Sequence, residues 1–352
     1  MTIMVTGGAG FIGSNFVIDW LAKNDEKVIN IDKLTYAGNL QNLKSIEGNS
    51  KHFFVKEDIL NRNKITDLIN YYNPRYIINF AAESHVDRSI HEPDQFIQTN
   101  IVGTYNLLES IRGFWSNMSL KDKDNFRFLN VSTDEVYGSL DSNDSAFKES
   151  NQYKPNSPYS ASKAASDHLV RAYYKTYGIP VLTTNCSNNY GPFQFPEKLI
   201  PLVLHNALNG KEIPIYGDGQ QIRDWLFVLD HCNAINTVLK TGKVGEIYNV
   251  GGLNEKTNIE IVNLLCEILD DILPKSDATS YRSQIIYVKD RAGHDKRYAV
   301  NASKIEKALN WRPTETFETG IKKTVDWYLN NQDWVKNVTS GDYINWVERN
   351  YS

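Results

Sequence analysis

Two short stretches bring together a phenol, an ammonium and two carboxyls. In Tyr159, Ser160, Ala161, Ser162, Lys163, the first and last residues fall four apart near the start of a predicted helix, Ser157 to Tyr177, and so share one face. An ammonium beside a phenol favours the phenolate and makes a base for a hydroxyl group out of a side chain that ordinarily titrates at about 10. Twenty tyrosines and many lysines generate about one such spacing by chance, and one is present, so its weight depends on a second stretch. That stretch is Ser132, Thr133, Asp134, Glu135, at the carboxyl end of a predicted strand, Phe126 to Ser132. Open α/β sheets hold their ligands at that end. Adjacent carboxyls repel as a charged pair, so one of them is pushed toward its protonated form, which suits an acid and a base side by side. The same pair also reads as the acidic start of a helix.

A third stretch points to a dinucleotide. The first predicted strand, Ile3 to Thr6, runs into Gly7, Gly8, Ala9, Gly10, Phe11, Ile12, Gly13, with a helix following. A tight strand-to-helix turn, a backbone bare enough for a pyrophosphate and close helix packing fall to Gly7, Gly10 and Gly13. The helix start then offers free N–H donors to the phosphates. Asp32 ends the second strand where a carboxylate can accept from both adenine-ribose hydroxyls. It favours NAD over NADP by repelling a 2′-phosphate, an exclusion that Lys33 weakens slightly. Asp58 and Ile59 follow the third strand and suit the adenine amino group, with an N-cap role for Asp58 equally open.

The elements that must position these residues alternate. Predicted strands Ile3 to Thr6, Lys27 to Ile31, His52 to Lys56, Tyr76 to Phe80, Phe126 to Ser132 and Val181 to Asn185 are separated by amphipathic helices over Ser14 to Lys23, Asn61 to Tyr72, Asp94 to about Phe114 and Ser157 to Tyr177. The pattern predicts an α/β fold with a doubly wound parallel sheet, the Rossmann arrangement, over residues 1–188. Beyond Asn188, closely spaced Gly and Pro mark a smaller, loop-rich α/β lobe over 189–330. Segments near 230–255, including a strand Glu246 to Val250, and near 300–330 are expected to rejoin the first domain. Thr257 with Glu260 forms a capping box that opens a helix to about Ile272. The tail, 331–352, carries Trp334, Tyr343 and Trp346 and is expected to pack on the body.

The 352 residues carry 38 basic against 42 acidic side chains, a net charge of −4 that offers nucleic acid or an anionic membrane no electrostatic handle. Cys186, Cys232 and Cys266 lack disulfide or zinc spacing, no metal site is expected, and no apolar run approaches the about 18 residues of a membrane span. A cytoplasmic location is the expectation, under which the acceptor triplet Asn337, Val338, Thr339 carries no sugar.

With TGGAGFIGS (Thr6 to Ser14), AAESHVDRS (Ala81 to Ser89), STDEVYG (Ser132 to Gly138) and YSASK, the chain resembles the extended short-chain dehydrogenase/reductase family over almost its whole length. NNYGPFQFPEKLIP (Asn188 to Pro201), RDWLFV (Arg223 to Val228) and DRAGHDKRY (Asp290 to Tyr298) resemble that family's nucleotide-sugar 4,6-dehydratases. The resemblance implies NAD as cofactor and dTDP-glucose as substrate. It implies that Tyr159, with Lys163, deprotonates the 4-hydroxyl while hydride leaves C4. Glu135 then removes the C5 proton, a protonated Asp134 protonates the departing C6 oxygen, and Thr133 hydrogen-bonds the 4-oxygen. It places Phe11, Ile12, Lys33, Leu34, Thr35, Phe80, Ala81, Ala82, Ser84, Thr99 and Asn188 against NAD. Ser84, Asn188, Lys198, Leu199, Arg223, Asn258, Arg291 and His294 fall against the nucleotide sugar, with Pro214 and Tyr216 at its base. His85 is read as structural. Leu253, Ala292 and Leu229 depart from the family pattern, which usually has Asn, Pro and an acidic residue there. Related readings are a 4-epimerase or a GDP-mannose 4,6-dehydratase on the same scaffold, or a non-catalytic NAD-binding protein. The acidic pair opposes the epimerase, because an enzyme that only oxidises and re-reduces C4 needs no extra acid or base. The helices near 94–114 and 157–177 resemble those that pair family members into homodimers, although such a stripe can equally be buried within one chain.

Overall fold

Short runs rich in Ile and Val, each followed by an amphipathic helix, bury both faces only as a parallel sheet clad by helices on each side. The computed structural model describes residues 1–291 and 293–339. Strands β1 (Thr2–Thr6), β2 (Lys27–Asp32), β3 (His52–Lys56), β4 (Tyr76–Asn79), β5 (Arg127–Thr133) and β6 (Val181–Cys186) form the first domain's sheet. After β7 (Asn188–Tyr190), β8 (Ile213–Tyr216) and β9 (Ile222–Phe227), the chain returns to it with β10 (Ile247–Val250). The sheet order is β10-β6-β5-β4-β1-β2-β3, parallel at every pairing. The order reverses between β1 and β4, which opens a crevice at their carboxyl ends.

Alternation along each strand divides the core. Ile3, Val5 and Val28 face α1 (Phe11–Lys23), whose Phe16, Val17 and Trp20 are buried against them. Met4, Ile29 and Ile77 face the opposite layer. That layer comprises α2 (Arg62–Tyr72), α3 (Thr104–Ser116) and α4 (Pro158–Tyr177). Each fully buried aliphatic or aromatic side chain here is worth about 1.5–3 kcal/mol, so the frame that carries the crevice is rigid.

The helix expected from Asp94 to about Phe114 is interrupted. A single α-turn, Pro93–Phe96, passes into a π-helical stretch, Ile97–Gly103, before α3 begins. π-Turns gather at functional sites, and this one carries Thr99 at the crevice and Asn100, whose amide bonds the Glu83 backbone and Ser162.

In the lobe, β7 and β9 join β11 (Glu255–Thr257) in one small sheet, and β8 pairs with β12 (Ile285–Val288) in another. Helices over Leu199–Leu208, Asn258–Ile272 and Phe317–Asn330 cover them. Their shared core includes Tyr190, Trp225, Ile261, Leu265 and Phe317. Trp334 is buried on this cluster and donates to Asn42 Oδ1 at 2.7 Å, tying residues 332–338 to the first domain. Tyr343 and Trp346 lie outside the described residues.

Candidate active site

The turn after β1 follows from its glycines. Gly7 has φ +72°, and a Cβ there would meet the Ala81 nitrogen at 2.5 Å. A Cβ on Gly13 would lie 2.2 Å from the Gly7 carbonyl, so α1 approaches the strand only as glycine permits. Gly10 differs: its nearest neighbour would be 3.4 Å away, and the space in front of it belongs to the crevice. Gly10 is also the N-cap of α1 and supplies no side-chain cap, which leaves that helix end free to donate to an anion. Asp32 accepts from Ala9 N (2.9 Å) and Leu34 N (2.8 Å), which aims its carboxyl into the same space.

The crevice runs from the glycine turn past the ends of β4 and β5 to the start of α4. Gly7, Gly10, Phe11, Ile12, Gly13, Asp32, Lys33, Thr35, Asp58, Ile59, Phe80, Ala81, Ala82, Ser84, Thr99 and Asn188 all line it. Leu34 does not, and contributes its backbone N–H to Asp32 instead. Asp58 is not the N-cap of α2: Asn61 takes that place, while Asp58 accepts from Leu60 N and faces the Lys33 ammonium at 3.7 Å. The buried Oδ1 of Asn188 has no protein partner, as befits a group facing a ligand.

Thr133, Asp134, Glu135, Tyr159 and Lys163 line the floor. Asp134 and Glu135 do begin a short 3₁₀ turn, Asp134–Tyr137, but Thr133 caps it through Glu135 N, which leaves both carboxyls for other work. Asp134 is 1% exposed, takes a 3.4 Å hydrogen bond from Thr133 Oγ1, and its Oδ2 has no partner. Burial, then the Glu135 charge, pushes its carboxyl well above the ordinary range. Glu135 is also raised by burial, but Arg291, Lys198 and Arg223 pull it back toward the anion. Neighbouring carboxyls thus receive unlike environments.

Burial, then Glu135, pushes the Tyr159 phenol well above 10, opposed by a hydrogen bond with Thr133. The Lys163 ammonium instead donates to Val131 O at 2.8 Å. Helix α4 presents both residues through a Ser157 and Ser160 capping box, with Pro158 at its first turn.

Of the residues expected on the nucleotide sugar, Ser84, Thr133, Asn188 and Lys198 line this crevice; Leu199, Pro214, Tyr216, Arg223, Asn258, Arg291 and His294 do not. Lys198 Nζ reaches Ser84 O at 2.9 Å. Asp87 gathers Arg291 (3.2 Å) and the Tyr216 hydroxyl (3.4 Å), and His294 bonds Asp290 at 2.6 Å. Arg223 is buried, donates to the carbonyls of Ile222 and Asp295, and lies 4.3 Å from the Tyr298 ring centroid. Leu199 and Asn258 begin helices, and Pro214 lies in β8. His85 caps the helix Val86–His91 by accepting from Arg88 N, a structural role.

Asp87, Glu197 and Asp167 escaped sequence reasoning. Glu197 accepts from Tyr36 across the crevice mouth, and burial pushes its carboxyl up to about 7. Asp167 is buried beside Lys163. Its signal was available as the next residue in the series Tyr159, Lys163, Asp167, spaced by four along one helix face.

The chain is similar to known proteins over nearly its whole length. Residues 4–324 match the model of the family described as GDP-mannose 4,6 dehydratase. A curated dTDP-glucose 4,6-dehydratase of Xanthomonas campestris pv. campestris (strain B100) is 59% identical over 342 residues, covering 97% of each chain. The crystal structure of a Bacillus anthracis dTDP-glucose 4,6-dehydratase in complex with NAD superposes with a TM-score of 0.84 at 48% identity, covering 96% of this chain and 99% of that one. One from Streptomyces venezuelae, with NAD and a second ligand bound, gives 0.87 at 43%, covering 96% and 100%.

Proposed function

The chain belongs to the GDP-mannose 4,6 dehydratase family, and we propose that within it this protein binds NAD and dehydrates dTDP-glucose to dTDP-4-keto-6-deoxyglucose, a step of deoxysugar synthesis. The observation that carries this reading is the unlike pair at the crevice floor: Asp134, buried with an unpartnered Oδ2 and pushed well above the ordinary carboxyl range, beside Glu135, whose upward shift by burial is opposed by three cations. Relatives with 53–59% identity over at least 97% of this chain bear the same activity in their names.

The residues divide the work as follows. Asp32 accepts the adenine-ribose hydroxyls, the free helix start behind Gly10 takes the pyrophosphate, and Asn188 Oδ1 receives a donor from the bound ligands. NAD held there would supply the acceptor for the C4 hydride and its donor to C6, together with a positive charge in the crevice. Tyr159, supported by Lys163 and Thr133, takes the 4-hydroxyl proton. The C5 proton, acidified by the new ketone, goes to Glu135, and Asp134 protonates the C6 oxygen as it leaves as water. In this reading residues 1–188, with the returning segments near 230–255 and 300–330, hold the cofactor, while 189–330 hold the nucleotide sugar. Arg223 and Arg291 offer planar forks to its diphosphate, Lys198, Leu199, Asn258 and His294 complete that site, and Pro214 and Tyr216 face the base.

No helix among the described residues is long and apolar enough to cross a membrane, and a cytoplasmic location is part of the proposal. So is a homodimer. Ile97 and Tyr105 are exposed at 46% and 38% on helices beside α4, a face a second copy would cover.

The test is dTDP-glucose carrying deuterium at C4, followed by NMR. The expected product has the label in its C6 methyl group and solvent hydrogen at C5. Label retained at C4, in either configuration, overturns the reading.

A further inference from the structure

Asp87 joins the first domain to the lobe through both oxygens of one carboxylate. It lies in the first turn of the helix Val86–His91, three residues beyond Ser84 on the crevice lining, and is 6% exposed. His85 caps that helix and Ser89 Oγ donates to Val86 O at 2.6 Å, so the carboxylate has a fixed mount. Its Oδ1 accepts from Arg291 Nη1 at 3.2 Å, and its Oδ2 from the Tyr216 hydroxyl at 3.4 Å.

Those partners come from neighbouring strands. Tyr216 ends β8, and Val288, opposite it in register, ends β12, with Gly217 N donating to Val288 O at 3.0 Å. Arg291 follows three residues later, so two segments leaving one small sheet are tied to a single acid. The Arg291 side chain is 23% exposed, and with Nη1 on Asp87 its buried Nε has no hydrogen-bond partner among the described residues. Nε and Nη2 form the side-on edge of a guanidinium, which grips an oxyanion by two parallel bonds. A buried N–H is ordinarily paired, and this one awaits an acceptor.

We propose that Asp87 is a positioning residue for the nucleotide half of the substrate: it holds Arg291 by Nη1 so that the Nε–Nη2 edge meets the diphosphate, and it holds the Tyr216 ring at the base. The inference rests on the function proposed above, in which Arg291 and Tyr216 touch those two groups. Charge alone predicts the reverse of positioning. A carboxylate near a diphosphate repels it, so removing the carboxylate should tighten binding. Positioning makes removal weaken binding, because an Arg291 without its anchor must be ordered by the ligand at a cost in side-chain entropy. The two effects differ in sign, and dTDP affinity reads that sign. The bonds of Asp87 go to Arg291 and Tyr216 rather than to Asp134, Glu135 or Tyr159, so its loss falls on KM and not on kcat.

The experiment titrates dTDP into the NAD-loaded protein by calorimetry and measures kcat and KM on dTDP-glucose, for wild type, Asp87→Asn, Arg291→Met and the double variant. Asp87→Asn is expected to weaken dTDP about tenfold and to raise KM alike, with kcat within about twofold and NAD affinity unchanged. On the Arg291→Met background the carboxylate has no guanidinium to hold and only repels. Adding Asp87→Asn there is expected to leave dTDP affinity within about twofold or to tighten it. Unchanged or tighter dTDP binding by Asp87→Asn alone, or the same loss on both backgrounds, would overturn the proposal. So would a parallel fall in NAD affinity and kcat, the mark of general damage to the fold. Tyr216→Phe covers the case in which Asp87→Asn does not fold. It takes one partner from the carboxylate and is expected to weaken dTDP about twofold to fivefold at constant kcat, and an unmoved affinity refutes the inference. Wild-type protein that neither binds dTDP nor dehydrates dTDP-glucose refutes the functional reading instead, so the two failures are distinguishable.

Discussion

The glycine turn between β1 and α1 and the floor around Asp134 and Glu135 lie in one crevice but are built on opposite principles. Contiguous residues make the turn: a strand end, three glycines and a helix start, tuned by the Cβ contacts that Gly7 and Gly13 avoid. Its chemistry is shape and backbone donors. The floor is assembled from distant segments, with Asp134 and Glu135 after β5, Tyr159 and Lys163 on α4 and Lys198 from the lobe, and the charges of Arg223 and Arg291 act on it from outside the crevice lining. It works by making adjacent, chemically similar groups electrostatically unlike. A site of the first kind is vulnerable to volume. One of the second kind is vulnerable to charge and tolerant of isosteres in stability, though not in rate.

The largest effect that tests this contrast is on the floor. Glu135→Gln is expected to lower dehydration by about 10²–10⁴-fold yet still permit transient NADH absorbance, since C4 oxidation precedes its step. Tyr159→Phe suppresses the absorbance as well. Identical behaviour of the two variants in stopped-flow would remove the division of roles. Stability should move the other way. A carboxyl whose folded pKa is raised favours the protonated form, so the native state loses stability as pH climbs from the unfolded value of about 4 through the folded one. Asp134→Asn therefore unfolds at a higher temperature than wild type at neutral pH while dehydrating poorly.

At the turn the expected order is reversed. Gly13→Ala forces a Cβ to within 2.2 Å of the Gly7 carbonyl and should destabilise the fold by about 1–3 kcal/mol, read by thermal unfolding. Gly10→Ala has room within the protein and should unfold like wild type, but bind NAD at least about tenfold more weakly because a methyl group fills the pyrophosphate approach. Equal cofactor affinity in Gly10→Ala and wild type, by titration calorimetry, would show that the turn's open space is not where the phosphates go.

The smallest effect concerns one departure from the family pattern. Leu253 occupies φ +59° at 61% exposure, a left-handed conformation that asparagine tolerates better than leucine. Leu253→Asn is expected to gain up to about 1 kcal/mol in unfolding free energy with unchanged turnover. Altered turnover would tie this loop to the floor. Leu229 is exposed at 43% beside Asp230, which binds Thr314 and the Glu315 backbone, and Ala292 lies outside the described residues.

Much of the frame is readable from local pattern. The alternation of β-branched runs with 3.6-residue periodicity dictates a parallel sheet, because each strand has two faces to cover and each helix one stripe to bury. The glycine spacing likewise dictates the turn, since its constraints act between residues a few positions apart. Tertiary structure alone decided the electrostatics. How far burial and neighbouring charges push Tyr159, Asp134 and Glu135, and that Asp87 anchors Arg291 and Tyr216, depend on groups contributed from far along the chain. Desolvation and Coulomb interaction are set by distance in space, and a sequence records only distance along the backbone.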